Sequence, residues 1–141
     1  VGLAHGLKLR GMKNLVYVLV GDGECHEGTV WEAANVATNL QLNNLRVIVD
    51  WNQSAAQLMP LDDLPSKWKA FGWQTTVIDG HDETELRTAF EDKNLLKSRS
   101  SSVIIAKTTK GKGIPFIEGH GPWHHRIPND EEYVKIMEAL S

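Results

Sequence analysis

The strongest constraint in this sequence is the alternation of short apolar runs with longer stretches of helical periodicity. Strand-like runs rich in apolar and β-branched residues are predicted at residues 15–20, 45–50, 73–78 and 103–106. Helical segments separate these runs, so consecutive strands are joined by right-handed crossover connections. We therefore predict an α/β fold, with a mostly parallel sheet flanked by helices on both faces.

Five helices are indicated by periodicity and by their capping residues. The first runs to about Arg10, the second from about Thr29 to Leu40, the third begins at Asp62 or Asp63, the fourth at Asp82 with Glu85 as a capping-box partner, and the last at Asn129 or Asp130. The apolar stripe of the fourth helix is predicted at Leu86, Ala89, Phe90 and Leu96, and that of the last at Tyr133, Val134, Ile136, Met137 and Leu140. The glycine-rich segment 110–128 is predicted to be a functional loop.

Chain length, net charge and the length of the apolar runs exclude several classes of function. The chain of 141 residues is predicted to form a single domain over 1–141. Its 15 Lys and Arg against 18 Asp and Glu give a net charge of −3, which argues against nucleic acid or an anionic membrane as a partner. The longest apolar run, 15–20, is too short to span a bilayer. The single cysteine, Cys25, fits a cytoplasmic protein, and a start at Val1 within helical periodicity suggests a missing N-terminal segment.

Polar residues follow three of the predicted strands, where ligands of parallel sheets bind. Asp22 and Gly23 follow the first strand, Asn52 and Ser54 follow the second, and a lysine-rich loop that contains Lys110 follows the fourth. A carboxylate, an amide oxygen and a main-chain carbonyl near Ser54 are hard oxygen ligands that suit Mg²⁺ or Ca²⁺, with a diphosphate as the natural partner of the metal. The helix that starts near residues 27–28 would direct N–H groups at this anion.

The sequence does not match three other nucleotide-binding or metal-binding motifs. A dinucleotide fingerprint from Gly21 would require glycine where His26 stands, and a phosphate-binding loop before Lys112 would require glycine where Ala106 stands. His120 and His124 have half of a zinc spacing, but no cysteine pair precedes them. Each rim residue alone is common in turns, so the prediction depends on Asp22 and Asn52 occurring together.

Several segments that contain these residues resemble the motifs of a known enzyme family. Segments 21–34 and 44–52, which contain the Gly-Asp-Gly and Asn elements, resemble the thiamine diphosphate motif of transketolases. The similarity continues in family order through 71–73, 78–82 and 107–113 to Trp123 and His124, and so covers nearly the whole chain. The E1 subunits of 2-oxoacid dehydrogenases share the first elements, but the Lys-Gly-Lys-Gly and Trp-His elements resemble transketolase.

The resemblance implies roles for the rim residues. It makes Asp22, Asn52 and the carbonyl of Ser54 the ligands of Mg²⁺ or Ca²⁺, and His124 a catalytic residue that also reaches substrate oxygens. The residues implied to bind thiamine diphosphate are Gly21, Asp22, Gly23, Glu24, Asn52, Lys110 and His124. Glu27 and Glu32 match acidic residues at the subunit interface that have been proposed as a proton relay between active sites. The chain departs from the family at His125, where glycine is common, and we expect this histidine to face solvent.

The implied activity is transfer of a two-carbon ketol unit from a ketose phosphate to an aldose phosphate, as in the pentose phosphate pathway. It would require a pyrimidine-binding domain or subunit, in a homodimer or an α2β2 heterotetramer, because the family's activating glutamate lies there. Two alternatives remain open from the residues alone. The chain could be a noncatalytic assembly subunit of the same fold, or a subunit of an E1-type 2-oxoacid dehydrogenase or another carboligase.

Overall fold

The computed structural model describes residues 1–57, 59–92, 98–119 and 121–141 and confirms the predicted α/β fold. The strands are β1 Val16–Gly21, β2 Leu45–Trp51, β3 Gln74–Asp79 and β4 Ser102–Lys107. The α-helices are α1 Gly2–Leu9, α2 Gly28–Asn39, α3 Leu64–Ala70, α4 Glu83–Glu91 and α5 Asp130–Ala139, with 3₁₀ helices at Gly23–His26, Ala55–Gln57 and Pro122–His124. The predicted positions of Leu96 and His120 lie outside the described residues.

The chain forms two compact units, Val1–Lys107 and Thr108–Ser141. The first contains the whole sheet with α1 to α4, and the second contains the glycine-rich loop and α5. Whether they make up one domain over 1–141 stays a prediction. No helix in the described ranges combines the length and the hydropathy needed to cross a membrane.

All strands of the sheet in the first unit are parallel, in the order β1-β2-β4-β3. Gly21 at the end of β1 is paired with Asp50 of β2, and Trp51 at the end of β2 is paired with Lys107 of β4. The carboxyl ends of three neighbouring strands therefore meet at one edge of the sheet, as the alternation of strands and helices predicted.

The alternation of side chains along β4 fills a core on each face of the sheet. Val103 and Ile105 belong to the larger core, which also contains Ala34 and Ala37 of α2. Ile104 belongs to the smaller core, together with Ile78, Ala106 and Ala89 of α4. Because the strand period is two, one apolar run supplies both faces of a covered parallel sheet.

The capping predictions hold in part. Asp63 rather than Asp62 caps α3, by accepting from the N–H of Ser66. Asp82 caps α4, but Glu85 does not complete a capping box, because its carboxylate accepts from the N–H of Asp79 at the end of β3. The full capping box lies at α5, where Asn129 and Glu132 bond each other's main chain.

Two predicted apolar stripes differ from the structure. In α4, Ala89 is buried and Leu86 half-buried, whereas Phe90 is 39% exposed and packs against Tyr17 with ring centroids 5.9 Å apart. In α5 only Ile136 of the predicted apolar residues is half-buried, and the others are exposed. The exposed residues are Tyr133, Val134, Met137 and Leu140. Periodicity identifies residues that share a helix face, but it does not say what covers that face.

Candidate functional site

Asp22 lies directly after β1, at the edge where the strand ends meet. Its main-chain N–H donates to the carbonyl of Asp50 at 3.1 Å, which extends the β1–β2 pairing by one residue. The residue is only 4% exposed, and no described residue donates a hydrogen bond to its carboxylate. A buried carboxylate without a donor is costly unless a cation satisfies it.

Asn52 follows β2 and is held on both sides of its amide. Its Nδ2 donates to the carboxylate of Asp50 at 2.9 Å, and its Oδ1 accepts from the N–H of Ser54 at 2.9 Å. Gln53 between them has a φ of +61°, a left-handed conformation that bends the chain before Ser54. Asp50 therefore bonds both predicted ligand loops: its carbonyl accepts from the N–H of Asp22, and its carboxylate accepts from Asn52.

Gly23 begins the 3₁₀ turn beside this group. Its φ is not among the positive values, and a Cβ built there would meet only Ala55, at 4.0 Å. Neither the backbone nor the packing of the described residues requires glycine at this position. A glycine that the fold does not need leaves room for close approach of a ligand to the main chain.

Glu24 has a partner within the chain. Its carboxylate accepts from the N–H of Gly21, and a Cβ added to Gly21 would lie 3.0 Å from that carboxylate. A side chain at position 21 would therefore displace the tip of the folded-back glutamate. The predicted contact of Glu24 and Gly21 with the cofactor stays a prediction.

Cys25 lies in the same turn but is buried, with 1% of its surface exposed. Desolvation raises the pKa of its thiol to about 12, and the negative charges of Asp22 and Glu24 add to the shift. Two polar atoms in these loops, Nε2 of His26 and Oγ of Ser54, are buried without a partner in the described part of the chain. Buried polar atoms of this kind are free to bond a water molecule, an ion or a ligand.

Helix α2 begins directly after this turn. Glu27 is its N-cap residue, but the Glu27 side chain makes no capping bond to the first-turn N–H groups. Both Glu27 and Glu32 are exposed in the single chain. Their predicted place at a subunit interface stays a prediction.

The second unit contains Lys110 in a tight turn. The Lys110 carbonyl accepts from the N–H of Gly119 at 2.8 Å, and Gly111 has a φ of +72°. A Cβ at Gly111 would lie 2.9 Å from the carbonyl oxygen of Ile117, so only glycine fits there. Within the described residues, the Lys110 ammonium has no acceptor and remains available to an anion.

Trp123, next to His124, packs against an aromatic ring and a guanidinium group. Trp123 packs edge-on against Phe116, with centroids 5.7 Å apart, and the Arg126 guanidinium lies 4.4 Å from the Trp123 centroid. The His124 ring is perpendicular to that of His125, 4.3 Å away, and both histidines are exposed. His125 thus faces solvent in the structure, as expected from the sequence.

No group of three His, Cys, Asp or Glu side chains suited to a metal occurs in the described ranges. A metal at the edge of the sheet would have to use amide and main-chain oxygens besides Asp22. Asn52 and Ser54 provide these two kinds of oxygen.

Comparison with known families decides the identity of the fold. Residues 8–140 match the model of the transketolase thiamine diphosphate binding domain. The chain belongs to the transketolase family. The match extends through both compact units.

Several transketolase relatives are similar over nearly the full chain. An apulose-4-phosphate transketolase subunit of Actinobacillus succinogenes is 39% identical over 99% of this chain and 52% of its own length. A 6-deoxy-6-sulfo-D-fructose transketolase subunit from a Clostridium species is 36% identical, with the same two shares. The chain therefore spans about half the length of these curated relatives.

A solved transketolase has the same fold. The crystal structure of the Campylobacter jejuni enzyme aligns with a TM-score of 0.73 and 32% identity, over 82% of this chain and 19% of that one. The predicted thiamine diphosphate-binding fold of the transketolase family is confirmed.

One residue of the site was missed by sequence reasoning. Asp50 appears in the sequence as the last residue of a strand, two positions before Asn52. The spacing Asp-x-Asn at a strand end was the available signal. An aspartate at a strand end is ordinary turn chemistry, so the signal alone does not indicate a site.

Proposed function

We propose that this chain is the diphosphate-binding half of a thiamine diphosphate-dependent transketolase. With a pyrimidine-binding chain or domain, it transfers a two-carbon ketol unit from a ketose phosphate to an aldose phosphate. The observation that carries the proposal is the buried Asp22 carboxylate in a transketolase fold, which has no donor among the described residues. The main chain of Asp22 is bonded to Asp50, whose carboxylate also holds the amide of Asn52.

The residues present fit a hard divalent cation. Asp22, Asn52 and the carbonyl of Ser54 supply three oxygens, which suits Mg²⁺ or Ca²⁺ when water and phosphate oxygens complete the shell. Oδ1 of Asn52 accepts one N–H from Ser54 and has a second lone pair for the metal.

The same edge of the sheet fits a diphosphate. Gly23 leaves space beside the main chain. The Glu27 side chain does not cap the N–H groups in the first turn of α2, so these groups can bind an anion. Lys110 supplies a positive charge in the second unit, which makes a slightly acidic chain compatible with an anionic cofactor. Gly21 and Glu24 complete the predicted cofactor-binding set.

When bound, thiamine diphosphate supplies the chemistry that breaks and forms the carbon–carbon bond. The residues of this chain hold its diphosphate and orient the substrate. His124 is the residue that we assign to the reacting carbonyl, where a ring N–H stabilises developing negative charge. Lys110 acts through its charge.

The assembly is part of the proposal. The Actinobacillus and Clostridium relatives are themselves named as transketolase subunits, and about half of their length has no counterpart here. We propose a homodimer or an α2β2 heterotetramer in the cytoplasm, with Glu27 and Glu32 at the interface. Sugar phosphates, such as those of the pentose phosphate pathway, are the proposed substrates.

Removal of the Asp22 carboxylate tests this proposal. In the purified complex with its companion chain, Asp22→Ala should weaken Mg²⁺-dependent binding of thiamine diphosphate by ~100-fold or more. Loss of a residue that only orients a metal ligand already lowers metal affinity 10–100-fold, and Asp22 is proposed as a ligand itself. Isothermal calorimetry measures the affinity. Glu91→Ala, which removes an exposed carboxylate from α4, is the matched control and should bind as wild type. Unchanged affinity in Asp22→Ala would contradict the assignment.

A further inference from the structure

Asp50 contacts both predicted ligand loops, and we infer that it is a positioning residue of the cofactor site. Through two separate hydrogen bonds it fixes the main chain at Asp22 and the side-chain amide of Asn52. The inference rests on the proposed function, and it adds to it the residue that orients the metal ligands.

The first contact is made by the main chain. Gly21 and Asp50 are partners in the β1–β2 pairing, and the next N–H of β1, that of Asp22, donates to the Asp50 carbonyl at 3.1 Å. The position of Asp22 is thereby tied to β2, which also carries Asn52 directly beyond its end. A shift in the pairing between these strands would separate the two ligands.

The second contact is made by the Asp50 carboxylate. It accepts from Nδ2 of Asn52 at 2.9 Å, and a carboxylate accepts hydrogen bonds but does not donate them. The amide is thus oriented with its NH₂ group toward Asp50 and its oxygen toward the N–H of Ser54. A flipped amide would place an NH₂ group against a cation and lose both contacts.

The Asp50 carboxylate is half-buried at the strand end. A hydrogen bond that is partly shielded from water in this way is stronger than one that is fully exposed. Residues that orient metal ligands in this way typically contribute 10–100-fold to affinity. Asp50 is therefore expected to change metal-dependent binding without contacting the metal.

The test compares two substitutions of Asp50 in the assembled complex with its companion chain. Asp50→Ala should weaken thiamine diphosphate binding 10–100-fold at limiting Mg²⁺ and shift the Mg²⁺ requirement to higher concentration, measured by calorimetry. Asp50→Asn keeps an oxygen that accepts from Asn52 Nδ2 and should stay within about threefold of wild type. Asp79→Ala removes another strand-end carboxylate, one that bonds the N–H of His81, and should bind as wild type.

A double-mutant cycle distinguishes positioning from a general structural effect. If Asp50 acts through Asn52, adding Asp50→Ala to Asn52→Ala produces no further loss of affinity. Additive losses would overturn the inference, as would wild-type affinity in Asp50→Ala. Equal losses in Asp50→Asn and Asp50→Ala would also overturn it, because they would make the charge of Asp50, rather than its hydrogen bond, the cause.

The outcome for Asp50 is separable from that for the proposed function. Metal-dependent binding that depends on Asp22 but is unchanged in Asp50→Ala rejects the inference and leaves the proposed function standing. A wild-type complex that binds no thiamine diphosphate rejects both.

Discussion

The site is built from polar groups whose positions are set by a few hydrogen bonds. The position of Asp22 and Asn52 at one edge of the sheet could be predicted from the sequence, because each directly follows a strand and the ends of parallel strands share an edge. Their role as metal ligands stays a prediction. The role of Asp50 could not be predicted, because it depends on the pairing of Gly21 with Asp50. No local pattern in the sequence determines which residues of β1 and β2 lie side by side.

The single cysteine gives a prediction for one residue. Since the thiolate is the reactive form, the burial and raised pKa of Cys25, about 12, should make the native thiol at least ~100-fold slower to react at pH 8 than the unfolded one. Labelling with a disulfide reagent, with and without denaturant, measures both rates. Fast stoichiometric labelling of the native protein would contradict the burial of Cys25 within the Gly23–His26 turn.

The secondary-structure elements were the part of the fold most accessible to prediction. The four strand-like runs lie within one residue of the observed strands at every end, because Val, Ile and Leu dominate a sheet buried on both faces. The stripe on α4 was less predictable. Phe90 contacts Tyr17 of β1, a partner far away in sequence, and remains 39% exposed.

A buried arginine ties α4 to the sheet. Arg46 of β2 is 2% exposed, and its guanidinium donates to the carbonyls of Phe90 at 3.0 Å and Asp92 at 3.3 Å. Arg46→Ala removes these bonds and leaves a cavity, so we expect the free energy of unfolding to fall by about 3 kcal/mol. Urea denaturation measures the change.

The matched control lies on the same helix. The Arg87 side chain is 64% exposed and pairs with Glu83 on the surface of α4, so Arg87→Ala should cost less than about 1 kcal/mol. Equal losses of stability in the two variants would show that Arg46 does not anchor the helix end.

At the scale of the whole molecule, the residues predicted to bind the cofactor occur in both compact units of the chain. Asp22, Asn52 and Ser54 belong to Val1–Lys107, whereas Lys110 and His124 belong to Thr108–Ser141. Sequence similarity identified the family because the motifs occur in order along both units. It could not give the arrangement of the active assembly, since the proposed pyrimidine-binding partner is not encoded in these residues.

Ketol transfer by the assembled complex is the activity that the proposed function requires. The native complex is purified with its companion chain, saturated with thiamine diphosphate and Mg²⁺, and assayed for two-carbon transfer from a ketose phosphate to an aldose phosphate. We predict transfer that requires both chains, and a loss of at least ~100-fold in turnover for His124→Ala with the cofactor still bound. If the saturated wild-type complex transfers no ketol unit, the proposed function is wrong and a noncatalytic assembly subunit is favoured. Full turnover in His124→Ala would rule out the role assigned to this histidine.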